Sequence, residues 1–313
     1  MFSYNTSHLT RFPEEYFGVS NAGIRETFGL LSDDIAAGHQ DFANFHNRHL
    51  TKSKKVIWAA AQLALERAPA DSPKRALILG AGSCEDIPLQ KIAENFDETM
   101  VLDIDTRHVW QAIRFVPPRL WPKITIVAKD LTGMLDAFGD RLDAIPSGYT
   151  LEQFVNAAAQ GFTAPEAANS VVPPDNDFTL TVSHLLHDQL SSSIHQVVRR
   201  KAYLQYGTDI GYTSSEVSEG YNDAYDVLAD NLSSAHRDYL AASIGRTGVV
   251  HFGGTYDYRK FARPSPDAEE PLEECVLSAL SQLGDATYWN WRQNSDQIYS
   301  VAAYTLQLTP ESE

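Results

Sequence analysis

The hydrophobic pattern of the chain alternates between short apolar runs and segments with helical spacing. Apolar runs at 76–79, 100–102, 124–128, 177–183 and 247–254 have the length and composition of buried strands. Between most of these runs, apolar residues recur at three- and four-residue steps, as on one face of a helix. This alternation predicts an α/β fold built around a mostly parallel sheet.

Residues 1–70 precede the alternation and are predicted to form an N-terminal helical cap. One helix is expected over residues 20–37, ended by Gly38, and a longer one from Asp41 to Ala68. Three histidines so close together suggest a metal site, but His46 and His49 are one helical turn apart and no third ligand lies nearby. This spacing predicts solvated or core-edge side chains, with substrate contact as the alternative, at His39, His46 and His49.

A strand, a glycine turn, a helix and a second strand ending in an acid follow one another over residues 75–105. Gly80 and Gly82 allow a tight turn and a close approach of a ligand to the backbone. Asp103 ends the second strand near the expected spacing of about 20 residues after the first glycine. This is the plan of a nucleotide-binding β-α-β unit. Glu85 replaces the third glycine of a dinucleotide fingerprint and would repel a pyrophosphate, so NAD and FAD are disfavoured.

The segment resembles motif I and the following acidic strand end of the class I S-adenosylmethionine-dependent methyltransferases. The resemblance covers about residues 74–131, 177–206 and 247–307. It implies a Rossmann-like, doubly wound, mostly parallel seven-stranded sheet with a C-terminal antiparallel hairpin. It also implies S-adenosyl-L-methionine as cofactor. The cofactor-binding residues expected from it are Gly80, Ala81, Gly82, Glu85, Asp103, Ile104, Asp130, Leu131 and Ser183.

Individual roles follow from the same resemblance. Asp103 is expected to accept hydrogen bonds from both ribose hydroxyls, with Asp105 as the less favoured register. Asp130 follows the third strand and either bonds the adenine amino group or caps the next helix. Glu85 is placed to contact the methionine ammonium.

The segment after the fourth strand resembles motif IV, where the acceptor and the transferred methyl group meet. His184, and after it His187, are predicted to be the general base. A neutral imidazole can take the proton of a hydroxyl or amine nucleophile. The alternative is that these histidines cap or pack the following helix.

The end of the chain predicts a further helix and a hairpin. The helix lies between Pro271 and Gly284. Two strands follow over 287–292 and 298–306, joined by a turn at Asn294-Ser295. One antiparallel strand in a parallel sheet distinguishes the resembled family from the dehydrogenases.

Two long segments, at about 133–175 and 207–232, are predicted to be insertions in a domain of residues 71–313. Together with the cap they would enclose a small molecule or a short peptide, methylated at oxygen or nitrogen. Two alternatives stay open. One is an aminocarboxypropyl or aminopropyl transferase on the same fold, and the other is a non-catalytic methyltransferase-like binding protein.

The charge and the cysteine content limit the kinds of partner and the location that we expect for the protein. The chain has 41 Asp and Glu against 25 Lys and Arg, a net charge of -16, and no basic cluster. This composition disfavours nucleic acid and anionic membranes as partners. Cys84 and Cys275 give no disulfide framework, and the start of the chain has no signal-peptide pattern, so a cytoplasmic location is expected. The oligomeric state stays open, with a homodimer as one option.

Overall fold

The computed structural model describes residues 14–41, 43–162, 177–210, 219–259, 280–292 and 298–309. The strands in these ranges are β1 Arg75–Leu79, β2 Glu98–Asp103, β3 Ile124–Ala128, β4 Phe178–His184, β5 Ile244–Arg259, β6 Leu280–Gln282, β7 Thr287–Arg292 and β8 Ile298–Leu308. The α-helices are α1 Ala22–Asp41, α2 Ala43–Arg67, α3 Leu89–Asn95, α4 Arg107–Ile113, α5 Leu135–Ala144, α6 Leu151–Phe162, α7 His187–Tyr206 and α8 Glu219–Ser243. None of these helices is long and apolar enough to cross a membrane.

All eight strands form one sheet in the order β3-β2-β1-β4-β5-β8-β6, with β7 also paired to β8. Strands β1 to β5 pair in parallel, and β8 is antiparallel to β5. Strand β6 pairs with residues 306–308 of β8, and β7 pairs with residues 298–303 on that strand. The two short strands therefore share one edge of β8, and the sheet has seven strand positions. The predicted Rossmann-like fold with a C-terminal antiparallel strand pair is confirmed.

The sheet is buried on both faces, as its apolar strands predict. Consecutive residues of β1 belong to different core clusters: Leu77 and Leu79 pack on one side, and Ala76 and Ile78 on the other. The second cluster also contains apolar residues of α2, among them Ile57. Helix α2 therefore lies against the sheet and is part of the core.

Two helix predictions near the ends of the fold are wrong. Helix α1 continues through Gly38 to Asp41, because one glycine costs a helix only about 1 kcal/mol relative to alanine. Leu280 begins strand β6 and pairs with Leu308, where a helix was predicted to continue to Gly284. A short apolar run does not distinguish strand from helix by its period alone. Pro271 and the predicted turn at Asn294-Ser295 lie outside the described residues.

The two predicted insertions contain mostly helix where the structure describes them. Helices α5 and α6 occupy 135–162. Helix α8 begins at Glu219 and continues past residue 232 to Ser243. Buried aromatic side chains of α6 and α8 meet there, with the ring centroids of Phe162 and Tyr221 5.1 Å apart. The division into a cap of residues 1–70 and a domain of residues 71–313 stays a prediction.

Candidate cofactor and acceptor cavity

A cavity of about 250 Å³ opens at the carboxyl ends of the parallel strands β1 to β4, the edge at which open α/β sheets bind ligands. Helices α1 and α2 contribute apolar side chains that cover it, including Phe28 and Leu50. Nine of the predicted site residues line this cavity: Gly80, Ala81, Gly82, Glu85, Asp103, Ile104, Asp130, Leu131 and His184.

The glycine turn has the backbone conformation that the sequence predicted. Gly80 and Gly82 both have positive φ, at 62° and 49°, a region that side chains disfavour. A Cβ atom on Gly80 would also lie 2.5 Å from Cδ1 of Leu186. The backbone N–H of Gly82 donates to Oδ2 of Asp103 at 2.7 Å, so the turn is tied to the acid at the end of β2.

Asp103 and Asp105 have different surroundings. Burial raises the pKa of Asp103 to about 6, although the backbone N–H groups of Asp105 and Gly82 favour its ionised form. The Asp105 carboxylate forms an ion pair with Arg107 at 2.7 Å. Arg107 also lies 3.2 Å from Asp33 of α1. Asp105 is therefore engaged in holding the cap, and this favours Asp103 as the residue that meets a ligand.

Asp130 has the capping role that was one of its two predicted roles. Its Oδ1 accepts from the backbone N–H of Thr132 at 2.8 Å. Its Oδ2 accepts from the N–H of Leu135, the first residue of α5, at 3.0 Å. Asp130 also lines the cavity, so the adenine contact stays a prediction.

Ser183 and His187 differ from the other predicted site residues. Ser183 is fully buried and is not part of the cavity lining; its Oγ lies 2.8 Å from Nε2 of His236 in α8. His187 begins α7, but its side chain is outside what the structure describes. Their predicted roles in cofactor binding and in catalysis stay predictions.

His184 lies at the wall of the cavity, and both of its ring nitrogens have partners. Its Nε2 lies 2.9 Å from Ser53 Oγ on α2, and its Nδ1 lies 3.1 Å from Nε2 of His251 on β5. Burial, and then the neighbouring His251, hold the pKa of His184 well below its usual range. Burial lowers the pKa of His251 to about 3. Both rings are therefore neutral at pH 7, and the predicted general-base role of His184 stays a prediction.

His49 and Asp86 also line this end of the cavity. The indole N–H of Trp289 on β7 donates to Nδ1 of His49 at 3.0 Å, and Nε2 of His49 lies 3.5 Å from Ser53 Oγ. Asp86 is half-buried in the loop before α3. Single ligand atoms of His49, Asp86 and His184 lie within 4.8 Å of one another.

The protonation of His49 does not suit a metal ion at these three residues. A ligating histidine is a neutral imidazole whose second nitrogen carries the proton. The indole nitrogen of Trp289 is a donor only, so Nδ1 of His49 must keep its lone pair. Nε2 then carries the proton in the neutral ring, and ligation through Nε2 would require an imidazolate anion, with no proton on either nitrogen.

The sequence reasoning missed most of this cluster. His251 interrupts an apolar strand, which is a signal for a buried polar contact. His49 and Ser53 are four residues apart on α2, so they share one face of the helix. Asp86 and Trp289 gave no usable signal, because their position depends on how the loop before α3 and strand β7 pack.

No protein-family model and no curated protein matches the chain. Among solved structures, it is similar to a SAM-dependent methyltransferase from Leishmania major, with 11% identity over 84% of this chain and 83% of that chain and a TM-score of 0.35. It is also similar to the glycopeptide N-methyltransferase MtfA, with 11% identity, coverage of 78% and 92%, and a TM-score of 0.32. The cyclase SpnF is similar to the same degree, with 11% identity, coverage of 79% and 78%, and a TM-score of 0.36. These scores are low, and the function is therefore derived from the cavity itself.

Proposed function

We propose that the protein is an S-adenosylmethionine-dependent methyltransferase that acts on a small molecule or a short peptide, at oxygen or nitrogen. The observation that supports it best is the hydrogen bond from the Gly82 N–H to Asp103, which ties the glycine turn to the strand-end acid inside one cavity. This pairing suits a ligand that carries a ribose and whose link to its tail contains no phosphate. It does not suit a pyrophosphate beside Glu85.

The cofactor supplies a methyl group that its sulfonium already activates. The protein residues bind and orient the two reactants and exclude water from them. Asp103 would hold the ribose diol, the turn at Gly80 and Gly82 would let the cofactor tail approach the backbone, and Leu131 would pack beside the adenine. Orientation of two reactants and exclusion of water account for much of the acceleration of such a displacement.

A small acceptor is supported by the cover over the cavity. Phe28 and Leu31 of α1 and Leu50 of α2 line it together with the strand ends. An acceptor must therefore fit beneath two helices. The acidic balance of the chain, -16 overall, supports an acceptor other than nucleic acid.

The first prediction tests the cofactor site by calorimetry with S-adenosylhomocysteine. Asp103→Ala should bind about 10- to 100-fold more weakly than the wild type, because hydrogen bonds to a charged group contribute about 1.5–3 kcal/mol. Asp105→Asn tests whether Asp105, the less favoured candidate, holds the ribose in place of Asp103. It should lose stability with its Arg107 ion pair while its affinity changes little.

Absence of binding heat from the wild-type protein with either S-adenosylmethionine or S-adenosylhomocysteine would overturn the proposed function. If binding is present, labelled cofactor and a cell extract identify the acceptor. The mass added to the product separates methyl transfer from aminopropyl or aminocarboxypropyl transfer. Label found only on nucleic acid or large proteins would contradict the small acceptor.

A further inference from the structure

Asp86 is an acidic residue at the cavity to which the proposed function assigns no role. Its carboxyl group is half-buried and lines the cavity, beside the ring nitrogens of His49 and His184. The hydrogen bond resolved on this carboxylate comes from its own backbone N–H. Asp103, by contrast, accepts from Gly82 and Asp105. Asp86 therefore has unused acceptor capacity at the cavity wall.

His49 presents a donor at the same end of the cavity. Trp289 occupies Nδ1 of His49 as a donor, so the proton of the neutral His49 ring is on Nε2. His184 has its Nε2 against Ser53 and its Nδ1 against His251. Of the three groups in this cluster, Asp86 alone is an acceptor whose lone pairs are not taken up by neighbouring side chains in the described part of the chain.

The charges around Asp86 leave it able to exchange a proton near neutral pH. Burial, and to a smaller degree Glu85, raise its pKa to about 6, while its own backbone N–H and Lys54 act in the opposite direction. The groups that face it from neighbouring elements are Lys54 and His49 on α2, His184 on β4, and Cys84 and Glu85 in its own loop.

We propose that Asp86 is the catalytic group that accepts the acceptor's proton, and that the acceptor presents a hydroxyl or a protonated nitrogen to the pocket formed by His49, Asp86 and His184. This inference rests on the proposed function. A hydroxyl oxygen forms the bond to the methyl carbon with a lone pair, and a protonated nitrogen forms it with the electron pair that loss of its proton frees. In both cases the carbon–sulfur electron pair leaves on sulfur. The acceptor's O–H or N–H bond breaks, its electrons stay on the acceptor, and the proton moves to the Asp86 carboxylate.

One test needs no acceptor. Protein labelled with ¹³C at the aspartate carboxyl carbon is titrated by NMR, and the Asp86 signal is identified by its absence from Asp86→Asn. The signal is expected to titrate at about pH 6. Titration at or below the usual range of an aspartate would overturn the proposal, since such a group is a weak proton acceptor at neutral pH.

The second test uses radiolabelled methyl cofactor with the cell extract that contains the acceptor, between pH 5 and pH 8. Wild-type incorporation should rise with pH, be half-maximal near pH 6 and level off above about pH 7, because the ionised carboxylate is the active form. Asp86→Asn should be about 100-fold slower at the plateau and lose this rise. Asp86→Glu should recover part of the rate. Asp71→Asn, an exposed change on the loop before β1, is the matched control and should behave as wild type.

Calorimetry with S-adenosylhomocysteine separates the two proposals. Asp86→Asn should bind it within about threefold of wild type. A wild-type protein that binds the cofactor product, combined with an Asp86→Asn variant that keeps its rate and pH profile, overturns the role of Asp86 alone. Loss of cofactor binding in Asp86→Asn would assign Asp86 to the cofactor site and would also overturn it, as would activity that chelation abolishes and Zn²⁺ restores.

Discussion

At the scale of single residues, the cavity is lined by three aspartates with raised pKa values, Asp86, Asp103 and Asp130, and the first two lie in different settings. Asp103 accepts two backbone N–H groups, whereas Asp86 accepts its own backbone N–H and no other in the described part of the chain. Backbone donors fix the orientation of Asp103 and suit a group that holds a ligand. A carboxylate with open acceptor positions suits proton exchange. Two chemically identical side chains can thus take different roles because their surroundings differ.

The tautomer of His49 gives a second prediction at this scale. Nitrogen-15 NMR should show the wild-type ring with its proton on Nε2, because Trp289 donates to Nδ1. Trp289→Phe removes that donor, so a population with the proton on Nδ1 should appear. The free energy of unfolding should fall by about 1 kcal/mol for the lost hydrogen bond.

Trp58→Phe is the control for this experiment. Trp58 lies on α2, where Lys91 packs over its ring at 5.6 Å, and its replacement should leave the His49 signals unchanged. A wild-type His49 that is already protonated on Nδ1 would contradict the prediction and would reopen the question of a metal ligand.

At the scale of elements, the strand ends determine where the chemistry lies. The chain leaves β1 through Gly80 with φ of 62°, and it leaves β4 through Leu185 with φ of 59°. A leucine rarely adopts this conformation; here its backbone N–H donates to the carbonyl of Gly253 on β5 at 2.8 Å. Leu186, the next residue, packs directly over Gly80. The two strand exits are therefore fitted to each other at the floor of the cavity.

This fit predicts different costs for two neighbouring substitutions. Gly80→Ala should lower the free energy of unfolding by more than Gly82→Ala, because its methyl group would collide with Leu186. Gly82→Ala meets no atom within 4 Å, so its cost should be about 1–2 kcal/mol for the left-handed backbone alone. Urea denaturation of both variants measures the difference. Equal losses would mean that Leu186 moves aside without cost.

At the scale of the whole molecule, the sequence predicted the parallel sheet well, and nine of the site residues that it indicated line one cavity. The apolar runs at β1 to β5 have the length of buried strands, and the position of Asp103 depends only on a local strand-turn-helix order. The cluster of histidines at the other end of the cavity could not be predicted in the same way. It joins His49 on α2, His184 on β4 and Trp289 on β7, and no local pattern records a contact between residues so distant in the chain. Gly38 and Leu280 were misassigned because local propensity is weaker than packing.

The buried His251 is expected to make the stability of the whole molecule depend on pH. His251 has a folded pKa of about 3 against an ordinary value of 6.5, so between these values the unfolded chain binds a proton that the folded chain does not. Stability from His251 is fully present above pH 6.5 and is lost as the pH falls toward 3. The stability of wild type relative to His251→Gln should therefore decrease by about 1.4 kcal/mol per pH unit over this window.

Chemical denaturation of the two proteins at several pH values measures this slope. Gln62→Asn, an exposed change on α2, should differ from wild type by an amount that does not vary with pH. A constant difference for His251→Gln would mean that His251 is protonated in the folded protein and that its contact with His184 is of another kind.

The hydrogen bond between Trp289 and His49 spans 240 positions of the chain, and this distance has a consequence for biosynthesis. Helix α2 leaves the ribosome long before β7 does. Until β7 emerges and pairs with β8, the His49 ring lacks the hydrogen bond from Trp289. The tautomer of His49 is therefore fixed only after β7 has been synthesised, long after the glycine turn and Asp103 have left the ribosome.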